Sequence, residues 1–527
     1  MQHRVHRSGR VWSLLSVAAL MMGLFLMQPT HLSVAQAYGK TITVNSIADP
    51  GNGTCNKKEC TLREAIKAAP SGGTIKFDLP DKATITLDGK QLILDKSVTI
   101  DASDVKDLQV NGDDKSRIFE IWKNATVTIK NLTMTHGETT GDGGNILSKG
   151  KLTLDNSIVQ NGDANQGGGI RNMGMLTLKN KSTVKDNDAK SGGGISNSSK
   201  LTLDNSTVKG NEASGNGGGI WNSSKGMVTG ENATVQNNKA DRDGGGIWNA
   251  GKVTLDDSMI RANESKKNGG GIHHDDGMLT ISDSMIRDNE AKIDGGGVYI
   301  PNDGTATIER STFRNNEAGL YGGGLCNGGE ATVNDTTFRD NEASQGGGIW
   351  NFETLAVNNS TVSGNEAKSG GGIFNRDSLK LNNVTVTNNN AKNGGGLYNQ
   401  KSAKVQNSIL AGNVAPTNAD CRGKHTSLGY NLVGKTCSTV ASDLVLGKGD
   451  LAGQNIDDVL KDLSNNGGPT ETHALVKDSP AIDAGNPKGC TDSSGDKLMT
   501  DQRGKKRPVD GDHDYKKTCD IGSYELQ

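Results

Sequence analysis

Three glycines, an aliphatic residue, a variable residue and usually an asparagine, as in Gly217-Gly218-Gly219-Ile220-Trp221-Asn222, recur eleven times between Gly143 and Asn399. Successive copies start 24, 25, 25, 27, 25, 26, 27, 24, 24 and 24 residues apart. A sustained period of that size requires one supersecondary unit per repeat, each burying its apolar face against the next. Met once, such a glycine-rich stretch would suggest a phosphate-binding loop; eleven copies make it architecture.

Within the repeats, apolar residues form columns. The position three after the first glycine is Ile146, Ile170, Ile195, Ile220, Ile247, Ile272, Val298, Leu325, Ile349, Ile373 and Leu397, always aliphatic and therefore inward. A second inward column reads Ile158, Val184, Val208, Val235, Ile260, Ile286, Phe313, Phe338, Val362, Val386 and Leu410, each three residues before an Asn. Identical patterns at a fixed offset place like over like in parallel, whereas hairpins would need tight-turn pairs between neighbouring strands. The expectation is an all-β right-handed parallel β-helix with three short strands per coil of about 25 residues. An Asn follows the aliphatic residue by two positions in eight of eleven copies, from Asn172 to Asn399. It is expected to adopt left-handed turn geometry and to bond its counterparts in adjacent coils. Eleven coils at about 4.8 Å each give a shaft on the order of 50 Å.

Hydrophobic residues make up 32% and aromatics 4%, enough for a thin, long core and too little for a thick globular one. Residues 1–37 carry Arg4, Arg7 and Arg10, an apolar run from Val11 to Met27 and Ala35-Gln36-Ala37, the pattern of a signal peptide. Its removal takes away three positive charges and no negative ones, moving the net charge from -2 to -5 and arguing against a nucleic-acid partner. No later stretch is long and apolar enough to span a bilayer, and the expected product is a secreted or surface-associated monomer. The seven cysteines suit an oxidising compartment, with Cys55–Cys60, Cys421–Cys437 and Cys490–Cys519 paired by proximity and Cys326 left over.

The expected division is 1–37 signal, 38–142 N-terminal cap and irregular early coils, 143–413 regular repeats and 414–527 C-terminal cap. Thr61 and Glu64 form a capping box for a helix whose Leu62, Ala65, Ile66 and Ala69 share one face, suited to covering the open strand edges at the N-terminal end. The paired glycine-aliphatic units and segments such as Phe313-Arg314-Asn315-Asn316 and Phe338-Arg339-Asp340-Asn341 resemble the GG-aliphatic and FxxN repeats of bacterial polymorphic membrane proteins. That resemblance implies a β-helix displayed at a cell surface, often as an adhesin. Cys60-Thr61-Leu62-Arg63-Glu64-Ala65 is similar to the CSLREA motif of secreted bacterial β-helix proteins. Asn466-Gly467-Gly468-Pro469-Thr470, Ser479 to Gly485, Thr500 to Gly504 and Cys519-Asp520-Ile521-Gly522 resemble the choice-of-anchor Q region, whose members commonly continue into an anchor. This chain ends at Gln527 with no such signal, which favours simple release.

Candidate chemistry sits on the residue after the inward aliphatic: Leu147, Arg171, Ser196, Trp221, Trp248, His273, Tyr299, Cys326, Trp350, Phe374 and Tyr398. Strand alternation turns this column outward, as a ladder of rings that would stack sugar faces or grip an apolar partner, or else shield the strands. The repeat is most disturbed at His273-His274-Asp275-Asp276. Asp243 and Asp294 flank it two coils apart, roughly 9.6 Å, near the upper limit for the carboxylates of an inverting glycosidase. Asp510, Asp512 and Asp514 alternate as a Ca²⁺ loop would begin, although Tyr515 and Ile521 exclude an EF-hand. The leading expectation is a non-catalytic, adhesin-like protein with no cofactor, Ca²⁺ aside, that binds an extracellular glycan or envelope component. The alternative is a pectate lyase-like or polygalacturonase-like enzyme using Asp243, His273, Asp275, Asp276 and Asp294.

Overall fold

The computed structural model describes residues 40–434, Cys437 and 444–527; the expected signal peptide lies outside the described residues. The chain winds as a right-handed parallel β-helix of about 14 coils, with parallel sheets of 14, 17 and 16 strands, first to third in the order each coil visits them, running along it. One coil shows the rule. Strand β1 (Ile220–Asn222) leads to β2 (Met227–Glu231), β3 (Thr234–Gln236) and β4 (Lys239–Ala240). Each pairs in parallel with its counterpart one repeat later, Ile220 with Ile247, Val228 with Val253, Val235 with Ile260 and Lys239 with Glu264.

The β4-type strands form a fourth, ten-stranded sheet beyond the three strands per coil read from the sequence. They are only two to four residues long, and their inward position is nearly always alanine (Ala213, Ala240, Ala291, Ala318). So small a residue leaves no hydrophobic column to detect. The recurring Glu-Ala pair was their one sequence signal.

Both inward columns are buried as expected, the first fully from Ile146 to Leu397. The second begins at Val159 rather than Ile158: Val159 pairs with Val184 and is fully buried, whereas Ile158 pairs with Thr183 and is half-buried. The shift arises because Gly162 stands where later coils carry Asn, so the Asn161 landmark is one residue early. Phe313 and Phe338 stack inside the coil at 4.6 Å.

The Asn two positions after the aliphatic does form a ladder, but in extended backbone. Asn172 donates to Asn197, Asn197 to Asn222 and Asn222 to Asn249, at 2.6–2.7 Å. A second buried ladder runs through Asn187, Asn211, Asn238, Asn263, Asn289 and Asn316. Left-handed turns are made elsewhere, at Asn205, Asn232 and Asp257 between the second and third sheets and at Asn161, Asp186 and Asn237 after the third. The third bend belongs to the glycine triplet. Gly217 has φ +70°, and a Cβ on Gly218 would lie 2.3 Å from the Lys239 carbonyl oxygen of the next coil. Only glycine fits so close an approach.

At the N-terminal end helix α1 (Leu62–Ala68) carries the expected capping box. At the other end Leu432–Gly434 and Leu451–Gln454 extend the third sheet, and Leu460–Ser464 pairs antiparallel with Thr472–Leu475. The last residues then run back along the outer face of the third sheet. Gln502 bonds Thr337 (2.8 Å) and Thr361 (2.7 Å), and the Ser523 amide donates to Thr385 (3.2 Å). Arg507 and Glu525, both fully buried, pair at 2.8 Å beneath this segment. Three disulfides, Cys55–Cys60, Cys421–Cys437 and Cys490–Cys519, join the cysteines paired by proximity, and Cys326 is free and buried. Among the described residues no helix is long and apolar enough to cross a membrane.

Candidate functional site

The residue after the inward aliphatic does point away from the core, and parallel register stacks it from coil to coil: Ser196, Trp221, Trp248, His273, Tyr299, Cys326, Trp350, Phe374 and Tyr398 are successive partners. Because the stacking follows the helix axis, ring faces meet one another. Trp221 and Trp248 lie 5.3 Å apart and 3° from parallel, Trp248 and His273 6.3 Å apart, and His273 and Tyr299 5.1 Å apart and tilted. Ring edges are therefore presented, and a sugar can lie face-on only at the end of the ladder. There Trp221 is followed by Ser196, a side chain too small to cover an indole.

The column is not uniformly open. Trp221, Trp248, Tyr299 and Tyr398 are half-buried, but His273 (6% exposed), Cys326 (1%), Trp350 (7%) and Phe374 (3%) are closed in. Tyr321 causes this at Trp350 on one side. It occupies the position before a glycine triplet, where other coils hold Asp, Asn, Gln or Ser, and stacks on Trp350 at 4.7 Å. Phe352 covers the other side at 5.7 Å, with Arg376 over its own ring. Arg422 lies 4.8 Å over Tyr398 at the far end. Strand alternation could not reveal this cover, because Tyr321 and Phe352 belong to the corners.

Acidic groups flank the open half. The residues before the triplets form their own row, in which Asn216 accepts from the Asp243 amide and the Asn268 side chain donates to Asp243 at 3.0 Å. Asp243 lies 3.7 Å from His273 Nδ1, and Asp275 lies 3.5 Å from Nε2. The hydrogen bond from His273 holds the Asp275 carboxyl below the usual range. Asp294, next but one in the row, is pushed up to about 6 by burial, and burial pushes the Tyr299 phenol up to about 12. Three buried polar atoms here have no partner: Asn268 Oδ1, His273 Nδ1 and Asp294 Oδ1. Asp276 stands apart as an exposed turn residue whose carboxylate accepts from the Gly277 amide.

His274 belongs to the interior. It takes an asparagine's place in the ladder, 2.8 Å from Asn249 Nδ2 and 3.1 Å from the Thr305 carbonyl oxygen. Burial depresses it to about 4, so it is neutral, with the tautomer set by accepting from Asn249 and donating to Thr305. The Cys326 thiol is raised by complete burial, which keeps it protonated and unreactive.

Of the acids considered for Ca²⁺, Asp510 and Asp512 come together with Asp483, while Asp514 pairs instead with Lys516 at 3.2 Å. The Asp483 carboxylate already accepts from the amides of Gly511 (2.7 Å), Asp512 (2.9 Å) and Thr518 (3.3 Å), so this turn closes on backbone donors. Cys421, His425 and Cys437 also cluster, but the disulfide leaves no thiolates there to hold a metal.

A family model described as right-handed beta helix region matches residues 270–433. The chain is similar in structure to one from the complex structure of XylC with xylose, at 10% identity and a TM-score of 0.33, covering 92% of this chain and 98% of that one. No curated protein matches the sequence.

Proposed function

We propose that this is an exported, non-catalytic β-helix protein that binds an extracellular glycan or envelope component along the half-open edges of Trp221, Trp248 and Tyr299, with His273 packed between them. The observation carrying this reading is the coincidence of half-buried ring edges at Trp221, Trp248 and Tyr299 with the exposed Asp275 carboxylate beside them. The hydroxyls of a sugar at the ladder edge would donate to the exposed Asp275 carboxylate. Trp221 gives that sugar an apolar face and the acid row gives it acceptors. Three disulfides suit an oxidising exterior.

A panel of neutral and acidic polysaccharides presented to the secreted chain tests the proposal. Binding should fall when Trp221→Ala and Trp248→Ala are combined, and unchanged binding contradicts it. Cleavage is the second reading, favoured by one feature: a carboxyl near pKa 6 at Asp294 suits a general acid, with Asp243 two coils away. New reducing ends that vanish in Asp294→Asn would establish cleavage in place of simple binding.

A further inference from the structure

The fourth tryptophan of the described chain, Trp122, lies outside the aromatic column. It stands at the corner between the first and second sheets, just after Ile121, where the preceding coil has Asp95 and the following coil Lys149. Four coils separate it from Trp221, about 19 Å along the axis. It is 49% exposed, and among the described residues no ring stacks on it. Beside it is Ile93, 43% exposed, so the corner presents an indole and an aliphatic side chain together.

These two line a groove of about 420 Å³ shared with Arg63 and Lys67 of α1 and with Lys96. It adjoins a groove of about 720 Å³ carrying Lys90, Lys115 and Arg117. Three of these cations are fixed: Arg63 by Asp49 at 2.7 Å, Lys115 by Asp113, and Arg117 by carbonyl oxygens of Asp142 and Gly143. Lys67, Lys90 and Lys96 make no ion pair among the described residues, and Lys96 bonds only the Lys67 carbonyl, at 2.9 Å. An open apolar platform beside unpaired ammonium groups is unusual on a chain of net negative charge, and the two features are complementary to one kind of ligand. The indole packs on the apolar face of a pyranose ring while the lysines meet its anionic substituent.

We infer that the Trp122 groove is a binding site for an anionic polysaccharide, separate from the Trp221–Tyr299 stretch. A duplex nucleic acid, which needs an extended basic face, is disfavoured because the unpaired cations of the two grooves are confined to Lys67, Lys90 and Lys96 on a chain of net negative charge.

The test is calorimetric titration of the secreted chain with oligogalacturonate, heparin-type sulfated oligosaccharide, fully methyl-esterified oligogalacturonate and duplex DNA. The expected result is binding of a carboxylated or sulfated chain, the stronger of the two naming the anion. The neutral ester should bind at least tenfold more weakly, and added salt should weaken the complex. Trp122→Ala should reduce affinity about tenfold or more, about 1.4 kcal/mol or more. Trp122→Phe should retain most of it, and Lys67→Glu with Lys96→Glu should abolish it. Trp221→Ala with Trp248→Ala should leave it unchanged, so failure here is distinguishable from failure of the column proposal. Equal binding of the neutral ester or of DNA, no binding of any probe, or full affinity in Trp122→Ala by a chain with unaltered circular dichroism would each overturn the inference.

Discussion

The two halves of the outward column have the same register and the same kind of residue but opposite surroundings. From Trp221 to Tyr299 the edges of Trp221, Trp248 and Tyr299 reach solvent, with the buried His273 packed between Trp248 and Tyr299 and a row of acids beside them. From Cys326 to Phe374 the column continues in register but is sealed, with Trp350 stacked between Tyr321 and Phe352. One corner residue decides between them: before the glycine triplet, Asp243 and Asp294 leave the ladder open, whereas Tyr321 lies across it. A repeat therefore sets where a side chain points, and the irregular residue beside it sets whether solvent reaches it.

The largest expected effect separates the halves by stability. Trp350→Ala removes a side chain 7% exposed and packed between two rings, and should cost about 3–5 kcal/mol. Trp221→Ala, half-exposed, should cost about 1 kcal/mol. Chemical denaturation of each variant measures the difference, and equal losses would erase the distinction.

Next is a pH effect confined to the open half. Asp294 has a folded pKa raised to about 6 against an unfolded value near 3.8, so its favourable contribution is complete below about pH 4 and is lost as pH rises through 6. Across that window stability should fall by up to about 1.4 kcal/mol per pH unit. Asp294→Asn should flatten this part of the denaturation-against-pH profile, and a profile with the same slope in the variant would refute the assignment.

Smaller again is the binding effect. Combining Trp221→Ala with Trp248→Ala should weaken glycan affinity about tenfold, about 1.4 kcal/mol, whereas Phe374→Leu in the sealed half should leave it unchanged. The smallest concerns Ca²⁺: with Asp483 satisfied by three amides, chelation should shift the unfolding midpoint by less than about 1 °C, and a larger shift would reveal a bound ion.

Much of the fold was legible because its columns are made of large residues at a fixed interval. Ile220 and its counterparts announce an interior without any knowledge of the turns. The fourth sheet was missed because alanine at Ala213 or Ala291 leaves no hydrophobic signature, and the left-handed corners were assigned to the wrong asparagines because all Asn columns recur with the same period. At the candidate site, the spacing brought Asp243, His273 and Asp294 together. The direction of the ring faces and the cover over Trp350 depend on stacking along the axis and on single corner residues such as Tyr321 and Phe352. Trp122 escaped notice because it belongs to no column.

The division of the column is tested most directly by hydroxyl-radical footprinting of the folded chain, with oxidation read at each tryptophan by mass spectrometry. Trp122 should react fastest, Trp221 and Trp248 at intermediate rates, and Trp350 should be protected until the protein unfolds. Oxidation of Trp350 in the native protein at the rate of Trp248 would contradict the division into an open and a sealed half.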